Sequence, residues 1–217
     1  MELGEYDWVD VSLPLSNGLP AWPGDEPFRL DTVAGEGGLY IISRVSMSLH
    51  GGTHLDAPLH YLEEGSPVDA ASPRVLIGRA KVVEISPGGG HILTRDLLPS
   101  RPARGERLLI KAGNSPLYAK GSFCRDFRAL TPEAASFLAD CGVSLVGIDY
   151  FSVEPWGGDG SVHRTLAEAG IWVLEGLDWG KVEPGEYFLV CLPLRIKGAE
   201  ASPARAFLGK PAVGGLP

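Results

Sequence analysis

The stretch His50-Gly51-Gly52-Thr53-His54-Leu55-Asp56-Ala57-Pro58-Leu59-His60 decides how the chain is read. Three of the five histidines and one aspartate lie in it at even positions, while Thr53, Leu55, Ala57 and Leu59 fill odd ones. In extended backbone, side chains alternate between faces, so the polar set would point one way and a mostly apolar set the other. A straight strand would still hold His50 and His60 on the order of 33 Å apart, too far for one site. Gly51-Gly52 and Pro58 supply bends, since glycine tolerates close backbone approach and proline fixes φ without a donor. The expectation is a kinked strand-to-loop passage that gathers imidazoles and a carboxylate into one pocket.

Those residue types suit a divalent transition metal. Catalytic zinc typically takes about three imidazole or carboxylate ligands and keeps a position open for water. His50, His54 and Asp56 would make such a set. The i, i+4 spacing of the two histidines is that of helical zinc proteases, but the glycines disfavour a helix and no Glu follows His50. The alternative is a loop of structural, hydrogen-bonded histidines.

The chain has 217 residues, 44% hydrophobic and 21% charged, and is expected to form one domain over residues 1–217. A net charge of −8 and the lack of any Lys/Arg cluster argue against nucleic acid. The N-terminus lacks a basic and apolar leader pattern, and no apolar run approaches the roughly 18 residues of a membrane span. A cytoplasmic protein with no membrane partner is expected. Cys124, Cys141 and Cys191 are widely spaced without a CxxC and read as structural filling.

Outward from the histidine stretch, residues 7–13 read as a first strand and 16–27 as a loop. Within that loop Trp22 sits among turn residues, either plugging the core or forming a substrate-stacking wall. Residues 40–49 alternate and lead into the histidines. Residues 80–85 and 107–112 read as buried strands, separated by a turn at residues 88–90, with His91 solvated beside it, and by a short helix that Thr94 could cap. Residues 112–127 have no clear period and are read as a flexible wall near the site. Thr131-Pro132 opens a helix running to Cys141 and stopped by Gly142. Residues 143–148 form another buried strand ending at Asp149, a position suited to a ligand contact or a turn cap.

A glycine-rich entry at Gly157-Gly158-Asp159-Gly160 leads into a short helix carrying His163, and residues 171–174 return as a strand ending at Glu175. A carboxylate inside the apolar run Trp172-Val173-Leu174-Glu175-Gly176-Leu177 needs a cationic partner. A helical rise of about 10 Å and a strand return of a little over 13 Å bring His163 and Glu175 to similar height. Residues 185–192 read as a last long strand and 200–207 as a packed turn or short helix. Five or six strands with two or three helices indicate an α/β domain.

The motif HGGTHLDAPLHY, the loop Trp22-Pro23-Gly24-Asp25, and His163 with Leu174-Glu175-Gly176 resemble the metal-dependent cyclase family that includes bacterial kynurenine formamidases. The resemblance implies a swivelling β/β/α fold of mixed sheets with few helices, assembled as a homodimer or homotetramer. It implies two zinc ions per subunit, with manganese as the alternative metal. His50, His54 and Asp56 would hold one ion, and Asp56 would bridge to a second held by His163 and Glu175. His60 would donate and accept the proton, a task suited to imidazole near neutral pH, and Trp22 would contact substrate.

The implied activity is hydrolysis of an aromatic amide, N-formyl-L-kynurenine, to L-kynurenine and formate in tryptophan catabolism. Opening of a cyclic amide such as isatin is the rival within the same chemistry, and a non-catalytic metal-binding module is the rival from another class. Neither GxSxG nor GxGxxG occurs, so nothing points to a serine hydrolase or a nicotinamide enzyme.

Overall fold

A computed structural model describes residues 6–211, apart from 87, 89, 93, 98–100 and 181. In chain order its elements are β1 (Tyr6–Asp10), β2 (Arg29–Ala34), β3 (Ile41–Ser46), β4 (His54–Asp56), α1 (Pro73–Leu76), β5 (Ile77–Glu84), α2 (Thr94–Leu97) and β6 (Arg107–Lys111). They continue with α3 (Pro132–Cys141), β7 (Leu145–Ile148), α4 (Ser161–Glu168), β8 (Trp172–Glu175), β9 (Gly185–Pro193) and β10 (Ala201–Pro211). Strands outnumber the five or six expected, and the sheets are mixed with few helices, as expected.

The centre of the fold follows from three apolar runs. Parallel strands covered on both faces read as continuous hydrophobic segments, and β6, β7 and β8 are such segments, lying parallel to one another beside β5. Alternation inside each run divides them between two cores. Val83, Leu108, Ile110, Val146, Ile148 and Val173 face the helices, meeting Ala134 and Leu138 of α3 and Val162 and Leu166 of α4. Val82, Leu109, Leu145, Trp172 and Leu174 face the other way, with Leu189, Cys191, Ala206 and Leu208.

That second core is the inside of a barrel. The main sheet runs β1-β10-β4-β8-β7-β6-β5-β9, and β9 pairs back onto β10, so seven strands close on themselves with β1 appended. Closure removes the unpaired edges that a sheet otherwise exposes.

β10 corrects the sequence expectation of a turn or short helix at residues 200–207. Along it Ala206 and Leu208 point into the barrel and Arg205 outward, a period of two that Pro203 and the alanines mask locally. Residues 201–203 pair with β4 and 204–209 with β9, so Pro203 stands where the partner changes. The expected strand over 40–49 is also partly corrected. β3 forms only a two-stranded hairpin with β2, and a turn in which Gly51 N donates to Ser48 O separates it from the histidines.

Other expectations hold in detail. Thr131 caps α3 by accepting from Ala134 N, and Gly142 ends it. Thr94, expected to cap the short helix α2, is instead its first residue, and His91 is exposed as expected. The turn expected at residues 88–90 includes Gly89, which lies outside the described residues. Cys141 and Cys191 are buried and Cys124 half-buried, all as free thiols; burial pushes the Cys191 thiol up to about 12. No helix among the described residues is long and apolar enough to cross a membrane.

Candidate metal centre

β4 and β8 are antiparallel neighbours, and their register sets His54 directly opposite Glu175. His54 and Asp56, two residues apart, share a face. The backbone must come close here. Gly176 has φ +70°, and a Cβ on it would lie 2.1 Å from Gly52 O. Thr53 fastens the crossing by donating from Oγ1 to Gly176 O (2.5 Å) and accepting from Leu13 N (2.8 Å).

His54 is fully buried. Its Nδ1 lies 3.0 Å from Gly52 O, an acceptor that assigns the proton to Nδ1 and leaves the Nε2 lone pair facing inward. That Nε2 is 3.2 Å from Glu175 Oε2 and 3.4 Å from Asp56 Oδ1. His163 is brought in by the first turn of α4, and its Nε2 lies 3.2 Å from Glu175 Oε1, which also accepts from Val153 N (2.7 Å). His50 sits at the bend before β4, with Nδ1 2.9 Å from Asp56 Oδ1. The five residues expected to bind metal therefore converge, and two donor sets share Asp56: His50, His54 and Asp56, and Asp56, His163 and Glu175.

Buried polar groups are normally satisfied. Here His54 Nε2 and both carboxylate oxygens of Asp56 are buried, with ion-pair neighbours around Nε2 and Oδ1 but without a hydrogen bond of proper geometry. Imidazole nitrogens and carboxylate oxygens with unused lone pairs, within 4.8 Å of one another in each set, are the donor chemistry of zinc or a similar ion, so the residues fit the implied metal.

The electrostatics of the protein without metal are those of carboxylates balanced by imidazoliums. Burial alone would lower His50, but the Asp56 carboxylate outweighs it and raises the imidazole to about 9. Burial acts the same way on His163, and the bonds to Glu154 and Glu175 raise it to about 10. Burial would raise Asp56, but His50 and His54 hold it well below the ordinary carboxylate range. Burial and the Asp56 charge push Glu175 up, and the neighbouring His163 and His54 imidazoles outweigh both, leaving it lowered.

His60 lies on the turn Pro58–His60 that follows β4. Its ring centroid is 4.2 Å from that of His50 and 5.9 Å from that of His163. Burial lowers its pKa; Asp56 opposes this, and the neighbouring His50 and His163 charges add to the lowering. A cleft of about 230 Å³ opens over these groups, walled by Trp22, Tyr61 and Phe151, with Asp25 and Ser152 as polar lining. Trp22 is partly packed and partly lines this cleft. It packs 5.0 Å from Phe123 and 4.9 Å from Trp156, centroid to centroid, and another part of it faces the cleft. Phe123 and Phe127 place the segment 112–127 beside this wall.

Asp149 is not part of the centre. It accepts from Ala112 N, Asn114 N and Ser115 N (2.8, 2.8 and 2.9 Å), which is the turn-anchoring alternative. The sequence reading missed Glu154, buried behind His163 with Oε2 3.1 Å from Nδ1. Its signal was available: like Glu175, it is an acid inside an apolar run, Phe151-Ser152-Val153-Glu154-Pro155-Trp156. It also missed Tyr61, whose ring stacks on that of His163 at 4.6 Å and 5°.

Comparison with known proteins accords with this geometry. The family model Cyclase, described as "Putative cyclase", matches residues 9–155. A kynurenine formamidase from Bacillus cytotoxicus is 34% identical over 205 residues, 93% of this chain and 97% of the relative. One from Geobacillus thermodenitrificans is 37% identical over 207 residues, 94% of this chain and 97% of the relative. A solved structure from Bacillus stearothermophilus, described as that of a "predicted metal-dependent hydrolase", superimposes with a TM-score of 0.83 at 31% identity, covering 94% of this chain and 98% of that one. Isatin hydrolase A from Labrenzia aggregata shares the fold, with a TM-score of 0.85 at 21% identity over 96% of this chain and 95% of that one. The chain belongs to the cyclase family.

Proposed function

We propose that the chain is a metal-dependent amide hydrolase that converts N-formyl-L-kynurenine to L-kynurenine and formate. The observation that carries this reading is the convergence of two donor sets on one shared aspartate beneath an aromatic-walled cleft. His50, His54 and Asp56 would hold one ion, and Asp56, His163 and Glu175 a second. Zinc suits the donors best, with manganese as the alternative. Once bound, the metal supplies Lewis acidity that polarises the amide carbonyl and acidifies water near neutral pH.

The chain's own residues do the rest. The reaction breaks the formyl C–N bond; the carbon gains the hydroxyl of water and the nitrogen gains its proton. His60, with its pKa lowered, is neutral at pH 7 and free to accept that proton and pass it to the departing arylamine. Trp22 and Phe151 offer flat apolar faces to the aryl ring, and their bulk limits water at the reacting carbon.

Free thiols at all three cysteines support a reducing, cytoplasmic setting. The β2–β3 hairpin, with Leu39 87% and Ile41 75% exposed, supports a homo-oligomer in which a second copy covers it.

The test is formate release from N-formyl-L-kynurenine by metal-loaded protein, run beside isatin decay. Formate release bears the reading out; isatin decay without formate replaces it with cyclic-amide opening. A His60→Ala protein that keeps its metal and its full activity would remove His60 from the reaction.

A further inference from the structure

Glu154 lies beyond the groups that would touch either ion, yet the residue is 5% exposed and its carboxylate bonds to the start of α4. Oε1 accepts from Gly160 N (2.5 Å), and Oε2 accepts from His163 N (3.2 Å). Gly160, the residue before the helix, has no side chain to cap it, so a carboxylate from the preceding loop does so. The loop folds tightly around this acid. A Cβ on Gly158 would stand 2.4 Å from Glu154 Oε1 and 2.8 Å from its Cγ, which accounts for the glycine there.

Capping needs only the two backbone contacts. The third, between His163 Nδ1 and Glu154 Oε2 at 3.1 Å, goes further. An ionised carboxylate only accepts hydrogen bonds, so it keeps a proton on Nδ1; when the ring gives up its second proton to a cation, the lone pair freed is that of Nε2, on the side of Glu175 Oε1 and Asp56. Gly52 O does the same for His54, which gives both imidazoles one tautomer and one direction. The stacked Tyr61 ring holds the other degree of freedom, the tilt of the His163 plane.

We propose that Glu154 is a positioning residue for the second ion: it holds His163 in the Nδ1–H tautomer and so sets the affinity of the Asp56, His163 and Glu175 set without touching the metal. This rests on the reading of those three residues as one ion's ligands. Glu154→Gln is the informative change because an amide has one oxygen. If that oxygen serves Gly160 N, the NH2 group donates to His163 Nδ1 and forces the proton onto Nε2, where the ion would bind. If it serves His163, two N–H groups face each other at Gly160.

The experiment titrates metal-free protein with zinc against a fluorescent chelator, resolving two dissociation constants. The expected result for Glu154→Gln is a second-site constant weakened about 10- to 100-fold, the usual cost of losing such a partner, with the first site unchanged. Asp159→Ala removes the neighbouring bond from Ser161 N to Asp159 Oδ1 and leaves both constants unchanged. A Glu154→Gln protein that binds both ions as the parent does, or an Asp159→Ala protein weakened equally, overturns the proposal. Nitrogen-15 shifts of the His163 ring in the metal-free parent provide a measurement that needs no variant. Protonation at Nδ1 alone or at both nitrogens agrees with it, and a neutral ring protonated at Nε2 overturns it. A parent that binds one ion refutes the two-ion reading as well, whereas two ions held equally by parent and variant refute only the role of Glu154.

Discussion

His54 Nε2 and Glu175 Oε2 stand 3.2 Å apart on directly paired positions of β4 and β8. Segments remote in sequence are thereby set at contact distance by sheet register alone, before any loop is considered. A one-residue slip of either strand would turn its member of the pair to the opposite face.

Glu175 belongs to one donor set and Asp56 to both, so the two should differ on substitution. Glu175→Gln is expected to leave roughly one of two ions bound after dialysis. Elemental analysis checks this, and loss of both ions would count against separate sites.

Asp56→Ala is expected to lose both ions, because it removes the carboxylate the two sets share. Full occupancy by elemental analysis would show that the sharing is not needed for binding.

Without metal, stability should depend on pH in a set direction. His50 and His163 are raised to about 9 and about 10 in the folded protein. Each therefore stabilises the fold fully below an unfolded imidazole value of about 6.5. That contribution is lost as pH rises through about 9 and 10. Thermal midpoints in excess chelator should fall between pH 6.5 and 10, and a flat or rising profile would contradict the assigned ion pairs.

Trp22→Ala is expected to raise KM for an aryl formamide about two- to tenfold, since aromatic contacts contribute about 0.5–1.5 kcal/mol. Metal content should be unchanged. A steady-state assay with an unchanged KM would return Trp22 to a purely structural role among Phe123, Phe127 and Trp156.

Gly176→Ala is expected to destabilise the protein by at least about 2 kcal/mol, from a positive φ and a Cβ driven against Gly52 O. For a chain of this size that lowers the thermal midpoint by about 4–8 °C. Calorimetry showing no change would mean the crossing relaxes freely.

Much of the site was legible because its signals are local. Alternation put His54 and Asp56 on one face, and a carboxylate among Trp172, Val173 and Leu174 announced a buried partner at Glu175. Glu154 carries that second signal too, but nothing in the residues around it names His163, nine positions on, as its partner. The strand nature of residues 201–211 was not legible: Pro203 and three alanines read locally as a turn, and only pairing with β4, β9 and β1 makes them extended. Alternation over 40–49 revealed a strand in β3 but not its partner, since a single strand's period does not say which other strand it joins.

The three-way pairing of β10 bears on how the molecule is made. One edge of the histidine-bearing β4 is closed only by residues 201–203, so a polypeptide still being synthesised contains every candidate metal-ligating side chain before the strand that closes β4 exists. Assembly dominated by such distant pairings is slow. The surroundings of β4 are therefore completed only when β10 has joined both β4 and β9.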